Sequence, residues 1–214
     1  MLKRTVDMVG VLFGLVLLSP VLVSVALAIK LTSPGPVFYR GVRIGRGGRP
    51  FRMFKFRTMV MNADRLGGTS TADDDPRVTR VGGWLRAYKI DELPQLLNVL
   101  AGTMSLVGPR PQVRWAVERY TPEERLLLTV RPGMTDYASV KFSNEGELLR
   151  GAEDADKLYL ERIAPTKMRL GLEYVRRQSF VEDLKIIAAT MVVALGRPAP
   201  ASLLRGVLPN DGKE

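Results

Sequence analysis

Residues 89–111 read KIDELPQLLNVLAGTMSLVGPRP. The stretch opens on adjacent carboxylates, Asp91 and Glu92, and continues with apolar residues at Leu93, Leu96, Leu97 and Leu100. It closes on the rigid triplet Pro109-Arg110-Pro111. Asp91 reads as a helix N-cap with Glu92 in the first turn, where the positive end of the helix dipole favours carboxylates. Pro94 still fits that first turn, because the N–H it lacks would have no intrahelical partner. Taken alone, these residues spell a well-capped helix. What gives the two carboxylates chemical meaning is the rest of the chain.

With 214 residues, the protein has room for one domain with a sizeable core, or for one domain plus an appendage. It contains neither cysteine nor histidine. Disulfides, thiolate or imidazole metal sites, and Ser-His or Cys-His nucleophiles are therefore excluded. Acid–base or nucleophilic work falls to Asp, Glu, Lys, Tyr, Ser or Thr. The formal charge of +10 calls for an anionic partner: nucleic acid, an acidic membrane face or a phosphorylated substrate.

Outward towards the N-terminus, residues 8–29 form an uncharged run of 22, long enough to cross a bilayer core of roughly 30 Å. Three readings compete. A cleaved signal peptide is suggested by Lys3, Arg4 and the Ala26-Leu27-Ala28 triplet. A spanning anchor is the second, and a re-entrant hairpin bent at Ser19-Pro20 the third. Pro20 removes one helical hydrogen bond and presses on the Val16 carbonyl, while Ser19 can help satisfy the freed backbone. Lys3 and Arg4 precede the run, and Lys30, Arg40, Arg43 and Arg46 follow it. Basic residues on both flanks favour keeping both ends on the cytoplasmic side, as a hairpin does.

Residues 32–50 are rich in Gly and Pro and read as turns around a short strand or hairpin. From residue 40 to residue 57 there are seven basic residues and no acidic one. The segment FRMFKFRTM at 51–59 alternates, placing Lys55 and Arg57 on one face of a strand and Phe54 and Phe56 on the other. This is either an edge strand protected by charge, a phosphate-facing strand, or an Arg/Phe surface for single-stranded nucleic acid. The acidic run Asp73-Asp74-Asp75 ends a polar stretch that reads as a flexible loop rather than a metal site. Residues 81–89 place Arg86 and Lys89 within a turn or two of Asp91.

Beyond the central stretch, Thr121-Pro122-Glu123-Glu124 spells a capping box. Arg131-Pro132-Gly133 is a turn, and residues 154–177 read as helix interrupted near Pro165. Ser179 and Glu182 open a further helix whose apolar part, 186–195, is too short to span a bilayer. It packs into the core or lies in the membrane interface.

Together these motifs resemble the bacterial sugar transferases of the small monotopic phosphoglycosyl transferase family. The resemblance covers nearly the whole chain. It runs through Ser19-Pro20, Ser33-Pro34-Gly35-Pro36-Val37, Phe54-Lys55-Phe56-Arg57-Thr58-Met59 and Asp75-Pro76-Arg77. It continues through Asp91-Glu92-Leu93-Pro94-Gln95, Gly108-Pro109-Arg110-Pro111 and Arg131-Pro132-Gly133. The Asp-Glu block joined to Gly-Pro-Arg-Pro is the specific part.

The resemblance implies transfer of a sugar-1-phosphate from a UDP-sugar to polyprenyl phosphate, with release of UMP. By that resemblance Asp91 is the nucleophile, forming an aspartyl–phosphosugar. Glu92 assists in holding Mg²⁺ with Asp91 or in handling the incoming phosphate, and Pro109, Arg110 and Pro111 serve the nucleotide. The residues fit this chemistry. A carboxylate nucleophile needs no histidine and yields a mixed anhydride able to pass its group on. Two anionic substrates beside an anionic nucleophile need cations, and Lys55, Arg57, Arg86, Arg110 and Arg131 are the candidates. Relatives often continue after Arg-Pro-Gly with Thr-Gly-x-Ala-Gln; here the residues are Thr135-Asp136-Tyr137-Ala138-Ser139.

The expected architecture is an α-rich α/β fold with few short strands and membrane-associated amphipathic helices. It has a re-entrant helix–break–helix at 1–31, a catalytic domain at 32–196 and a tail at 197–214. The expected partners are a UDP-sugar, polyprenyl phosphate and the bacterial inner membrane, with the catalytic domain facing the cytoplasm. Nucleic acid is not expected, and a homodimer is the assembly left open.

Overall fold

The uncharged run lies inside one long helix, α1 (Leu2–Thr32), in the computed structural model, which describes residues 2–66, 70–198 and 207. At 1.5 Å per residue α1 is about 46 Å long. The interruption expected at Ser19-Pro20 is not found, because helix continues through Pro20. The local chemistry explains the continuity. The Ser19 hydroxyl donates to the Val16 carbonyl at 2.8 Å, the acceptor that a residue-20 N–H would otherwise serve, and the Ser24 hydroxyl donates to the Pro20 carbonyl at 2.8 Å.

Packing keeps both arms of α1 on one body. Val11, Leu15 and Leu18 join a core cluster with Met53, Leu96, Val99 and Met104. Leu22, Val25, Ala26 and Ile29 join another with Phe56 and Leu85. These positions recur every three or four residues, so they form one stripe down the helix. The opposite face is exposed and apolar, with Phe13 69% and Val16 76% accessible.

The N-terminal end of α1 is tied down by polar contacts. Lys3 Nζ donates to Asp183 Oδ2 at 2.5 Å and to the Val107 carbonyl at 3.0 Å. Arg4 donates to the Val99 carbonyl at 2.7 Å. Buried Asp7 accepts from the Ser105 hydroxyl at 2.8 Å and from the Leu106 N–H at 3.0 Å.

The expected hairpin follows, with β1 (Phe38–Ile44) antiparallel to β2 (Pro50–Phe56) and Tyr39 opposite Lys55. The strand ends before Arg57. Helix α2 (Arg80–Ala87) is capped by the Thr79 side chain, which accepts from Gly82 N–H. A 3₁₀ turn at Ile90–Gln95 runs directly into α3 (Leu96–Leu100). Next come β3 (Ser105–Val107), the short α4 (Arg114–Val117) and a 3₁₀ turn at Glu124–Thr129.

That last turn opens with the expected reciprocal cap. Thr121 N–H donates to Glu124 Oε2 at 2.7 Å, and Glu124 N–H donates to the Thr121 hydroxyl at 3.2 Å. Strand β4 (Gly133–Thr135) lies parallel to β3. Here Gly133 and Gly108 pass so closely that a Cβ on Gly133 would sit 2.0 Å from Gly108 N. The two Gly-bearing motifs are therefore pressed together, backbone on backbone.

Five helices complete the chain: α5 (Tyr137–Lys141), α6 (Glu145–Leu148), α7 (Ala155–Leu158), α8 (Ala164–Arg177) and α9 (Phe180–Ala194). The segment 154–177 is helical as expected, but its irregularity is a π turn at Tyr159–Ile163 rather than a break at Pro165, which sits in the first turn of α8. The Ser179 side chain accepts from Glu182 N–H at the start of α9. That helix buries Ile186 and Ala189 in or near the core and leaves Phe180, Val181, Leu184 and Met191 exposed. The few short strands and many helices match the α-rich expectation. Most of the tail at 197–214 lies outside the described residues; Val207 packs against the cluster around Tyr137 and Tyr174.

Candidate active site

Asp91 is not the N-cap its sequence context suggests. The 3₁₀ turn begins at Ile90, and Lys89 precedes it in the left-handed region, with φ 56° and no side-chain cap. Asp91 therefore lies inside the turn and is buried, 7% accessible. Its carboxylate is free of the capping role and faces the end of β2.

Asn98 fixes this placement. From α3 it accepts from Phe54 N–H at 2.8 Å and donates to the Arg52 carbonyl at 2.8 Å. One side chain thus meets the open edge of β2 as a neighbouring strand would. The dyad turn is consequently pinned beside Lys55. Sequence reasoning passed over Asn98, although a polar residue inside the apolar run LLNVL is the signal for it.

Lys55 Nζ lies 2.8 Å from Glu92 Oε1 and 3.8 Å from Asp91 Oδ2. Arg110 grips Glu92 with both ends of its guanidinium: Nη1 donates to Oε2 at 3.1 Å and Nη2 to Oε1. The two carboxylates consequently differ. Burial would raise Glu92, but the charges of Arg110 and Lys55 outweigh it and hold the carboxyl well below the usual range. Asp91 is raised, first by burial and then by the neighbouring Glu92 charge, against the opposing pull of Lys55, Arg86 and Arg110. The less solvated, less strongly paired member is Asp91.

The other expected site residues divide. Arg86, on α2, bears on both Asp91 and Asp75 and donates to the Thr71 carbonyl at 3.3 Å. Pro109 and Pro111 flank Arg110 beside a small cleft that also touches Tyr120, Leu127 and Pro132. Arg57 is not with the phosphate-facing cations. Its guanidinium donates to the carbonyls of Pro36, Pro34 and Ser33 at 2.7, 2.6 and 3.0 Å, so it holds the Pro-Gly turn together. Because β2 ends at Phe56, the strand alternation that would have turned Arg57 alongside Lys55 no longer applies.

Arg131 is also elsewhere. Its Nε donates to the Gly102 carbonyl at 3.0 Å, and burial together with the nearby Arg46 and Arg4 lowers its pKa. It therefore belongs to the surface around the start of α1. The acidic loop is more ordered at its end than its composition suggests: Asp75 accepts from Arg77 Nη2 at 2.6 Å, and Asp73 N–H donates to the Gly146 carbonyl at 3.1 Å.

Two further groups join the site without a sequence-based forecast. Asp136 is buried, accepts from Ser139 N–H at 2.7 Å as the cap of α5, and lies 3.3 Å from Arg110 N–H. The Asp136-x-x-Ser139 spacing is its signal. Beyond Arg110, Lys167 pairs with Glu145 under the ring of Tyr159. These residues are far apart in sequence, and nothing local announces them.

For a divalent cation, no group of three or more acidic or histidine ligands exists among the described residues. Two adjacent carboxylates still suit Mg²⁺, which is commonly held by one or two carboxylates together with substrate phosphates and water. Asp91 and Glu92 are two carboxylates of that chemistry, Glu92 having both oxygens engaged by Arg110 and Lys55 and Asp91 being the less strongly paired of the two.

Comparison with known proteins adds to this geometry. The model of the family described as bacterial sugar transferase matches residues 1–197. A UDP-glucose:undecaprenyl-phosphate glucose-1-phosphate transferase of Escherichia coli K12 is 41% identical over 199 residues, covering 89% of this chain and 39% of that protein. A protein of the same name from Caulobacter vibrioides is 43% identical over 192 residues, 88% of this chain and 68% of its own. The exopolysaccharide production protein PSS of Rhizobium leguminosarum is 40% identical over 203 residues, 92% and 96% of the two chains. The chain thus spans about two fifths of the E. coli relative and nearly all of the Rhizobium one.

Proposed function

The chain belongs to the bacterial sugar transferase family, and from that premise we propose that it transfers a sugar-1-phosphate from a UDP-sugar to undecaprenyl phosphate, releasing UMP. The observation that carries the residue assignment is the asymmetric dyad. Buried Asp91 faces Lys55, while the adjacent Glu92 is held by Lys55 and the fork of Arg110.

The proposed route has two displacements. An Asp91 carboxylate oxygen attacks the β-phosphorus of the donor. The bond from that phosphorus to the bridging oxygen breaks, and its electron pair leaves on the α-phosphate of UMP. A phosphate oxygen of the lipid acceptor then attacks the same phosphorus, the aspartyl–phosphorus bond breaks, and the carboxylate is regenerated. Both steps gather negative charge, so Lys55, Arg86 and Arg110 stabilise it as fixed cations in a partly dry site. Mg²⁺, bound by Asp91 and Glu92 with the donor phosphates, would neutralise charge on the diphosphate.

Among the described residues α1 is the one helix long and apolar enough to cross a membrane, yet both its ends rest on the same globular body. We place its exposed apolar face in the cytoplasmic leaflet of the inner membrane, with the N-terminus and the catalytic domain on one side. This keeps both ends of α1 on one side of the membrane with the helix lying along the leaflet, in place of the re-entrant break read from Ser19-Pro20.

The test is release of UMP by the detergent-solubilised chain from UDP-sugars with undecaprenyl phosphate and Mg²⁺, starting with UDP-glucose, the donor in two relatives' names. Asp91→Asn is expected to reduce turnover by at least about 10⁴-fold, as loss of a covalent nucleophile does. Intact-mass measurement should show a sugar-phosphate adduct on the wild type given donor alone. Undiminished turnover by the variant would remove the nucleophile assignment.

A further inference from the structure

Behind Arg110 lies a second cluster that the dyad chemistry leaves unused. Lys167, on α8, has a side chain only 12% accessible and pairs with Glu145 of α6. Its ammonium stands 5.1 Å from the Tyr159 ring centre and 5.9 Å from that of Phe142. Tyr159 begins the π turn, a rare geometry that recurs at functional sites. The cluster is electrically continuous with the active site: Glu145 and Asp136 both act on Arg110, and Arg110 acts on Lys167 and Tyr159. Tyr120, at the cleft beside Arg110, interacts in turn with Tyr159.

Lys55 bridges Asp91 and Glu92, Arg110 grips Glu92, and Arg110 interacts electrostatically with Glu145, Lys167 and Tyr159, which are themselves in contact through Lys167. In-line displacement sets the leaving group opposite the attacking oxygen. With the β-phosphorus at Asp91 and the α-phosphate near Arg110, the rest of UMP would lie on the side of Arg110 away from Asp91, toward the second cluster. The chemistry there suits a pyrimidine nucleoside. Tyr159 and Phe142 offer flat faces for a base, Lys167 can donate to a base carbonyl, and Glu145 can accept from the ribose diol.

We propose that Glu145, Tyr159 and Lys167 form the seat of the donor's uridine. The assignment rests on the transferase reading above and adds to it the residues that distinguish a nucleoside. A purely architectural ion pair joining α6 to α8 is the rival, and it predicts no ligand dependence.

Calorimetric titration of the full chain in detergent with UMP, and separately with inorganic pyrophosphate, tests the proposal. Lys167→Met, Glu145→Gln and Tyr159→Leu are each expected to weaken UMP at least tenfold. Pyrophosphate, which reads Lys55 and Arg110, should stay within twofold, and Tyr159→Phe, which keeps the ring, should retain most UMP affinity. Unchanged UMP affinity in folded variants, with only a lower melting temperature, overturns the proposal in favour of the ion pair. Unchanged UMP affinity combined with altered preference among UDP-sugars overturns it in favour of sugar recognition. Failure of the transferase reading is separable: the wild type would then bind UMP yet release none from any donor.

Discussion

Glu92 and Asp91 share a backbone turn but not an electrostatic environment, and that difference is testable at single residues. The Glu92 charge raises Asp91; removing it also frees Lys55 and Arg110 to act on Asp91 undiluted. Both effects lower the Asp91 pKa. In Glu92→Gln the acid limb of UMP release in a single turnover should therefore move to lower pH, while the rate falls by on the order of 10²-fold. A limb that moves upward contradicts the assigned charges. For the folded protein the sign for Glu92 is the reverse of that for Asp91. A depressed carboxyl contributes stability above the ordinary glutamate range, and that contribution is lost as pH falls toward its lowered value.

Arg57 makes the complementary point. It is buried and bonded to three carbonyls of the Ser33–Pro36 turn. Arg57→Gln should lower unfolding free energy by about 2–4 kcal/mol in denaturant titration, with the donor KM within about threefold of wild type. A phosphate-binding role would instead raise KM and leave stability near normal.

The short elements matter because they force distant motifs together. Pairing of β3 with β4 sets Gly108-Pro109-Arg110-Pro111 against Arg131-Pro132-Gly133, and Gly133 N–H donates to the Pro109 carbonyl at 3.1 Å. Gly133→Ala would drive its methyl into the Gly108 backbone rather than into a movable side chain. We expect a loss of about 3 kcal/mol in thermal or denaturant unfolding, together with weakened UMP binding, since Arg110 is carried on the displaced strand end. A stable variant with normal UMP binding would show that the contact can relax. The hairpin, the caps at Thr121 and Ser179, and the apolar α1 were legible because their signals are local: alternation, spacing and hydropathy. The 3₁₀ turn at Ile90–Gln95 was not, since an Asp before an apolar run is an equally good cap until Asn98 draws the following helix onto β2.

For the whole molecule, the decisive feature is that one helix touches the body from end to end. Lys3 reaches Asp183 and Val107, while Val25 and Ile29 sit with Phe56 and Leu85. Sending the N-terminus across a bilayer would break the Lys3 and Asp7 contacts and leave Asp183 and Ser105 unpartnered from that side. Reporters placed ahead of residue 2 and on the exposed loop at Gly47 should therefore label from the same, cytoplasmic side in intact cells and inverted vesicles. Labelling from opposite sides would restore a spanning anchor.

What the sequence determined alone was chemistry and patterning. Absence of His and Cys restricted the nucleophile to oxygen or lysine nitrogen, the basic excess demanded anions, and the Asp91-Glu92 and Pro109-Arg110-Pro111 motifs named the family. Only the tertiary structure decided which cations reach the dyad. Lys55 and Arg110 contact it and Arg86, bonded to the Thr71 carbonyl, acts on it through its charge, whereas Arg57 goes to a turn and Arg131 to the surface near Arg4. The physical reason is range. Periodicity and capping act over a few residues, but a guanidinium follows whichever carbonyl or carboxylate the packing of remote elements brings within about 3 Å, and no local pattern encodes that choice.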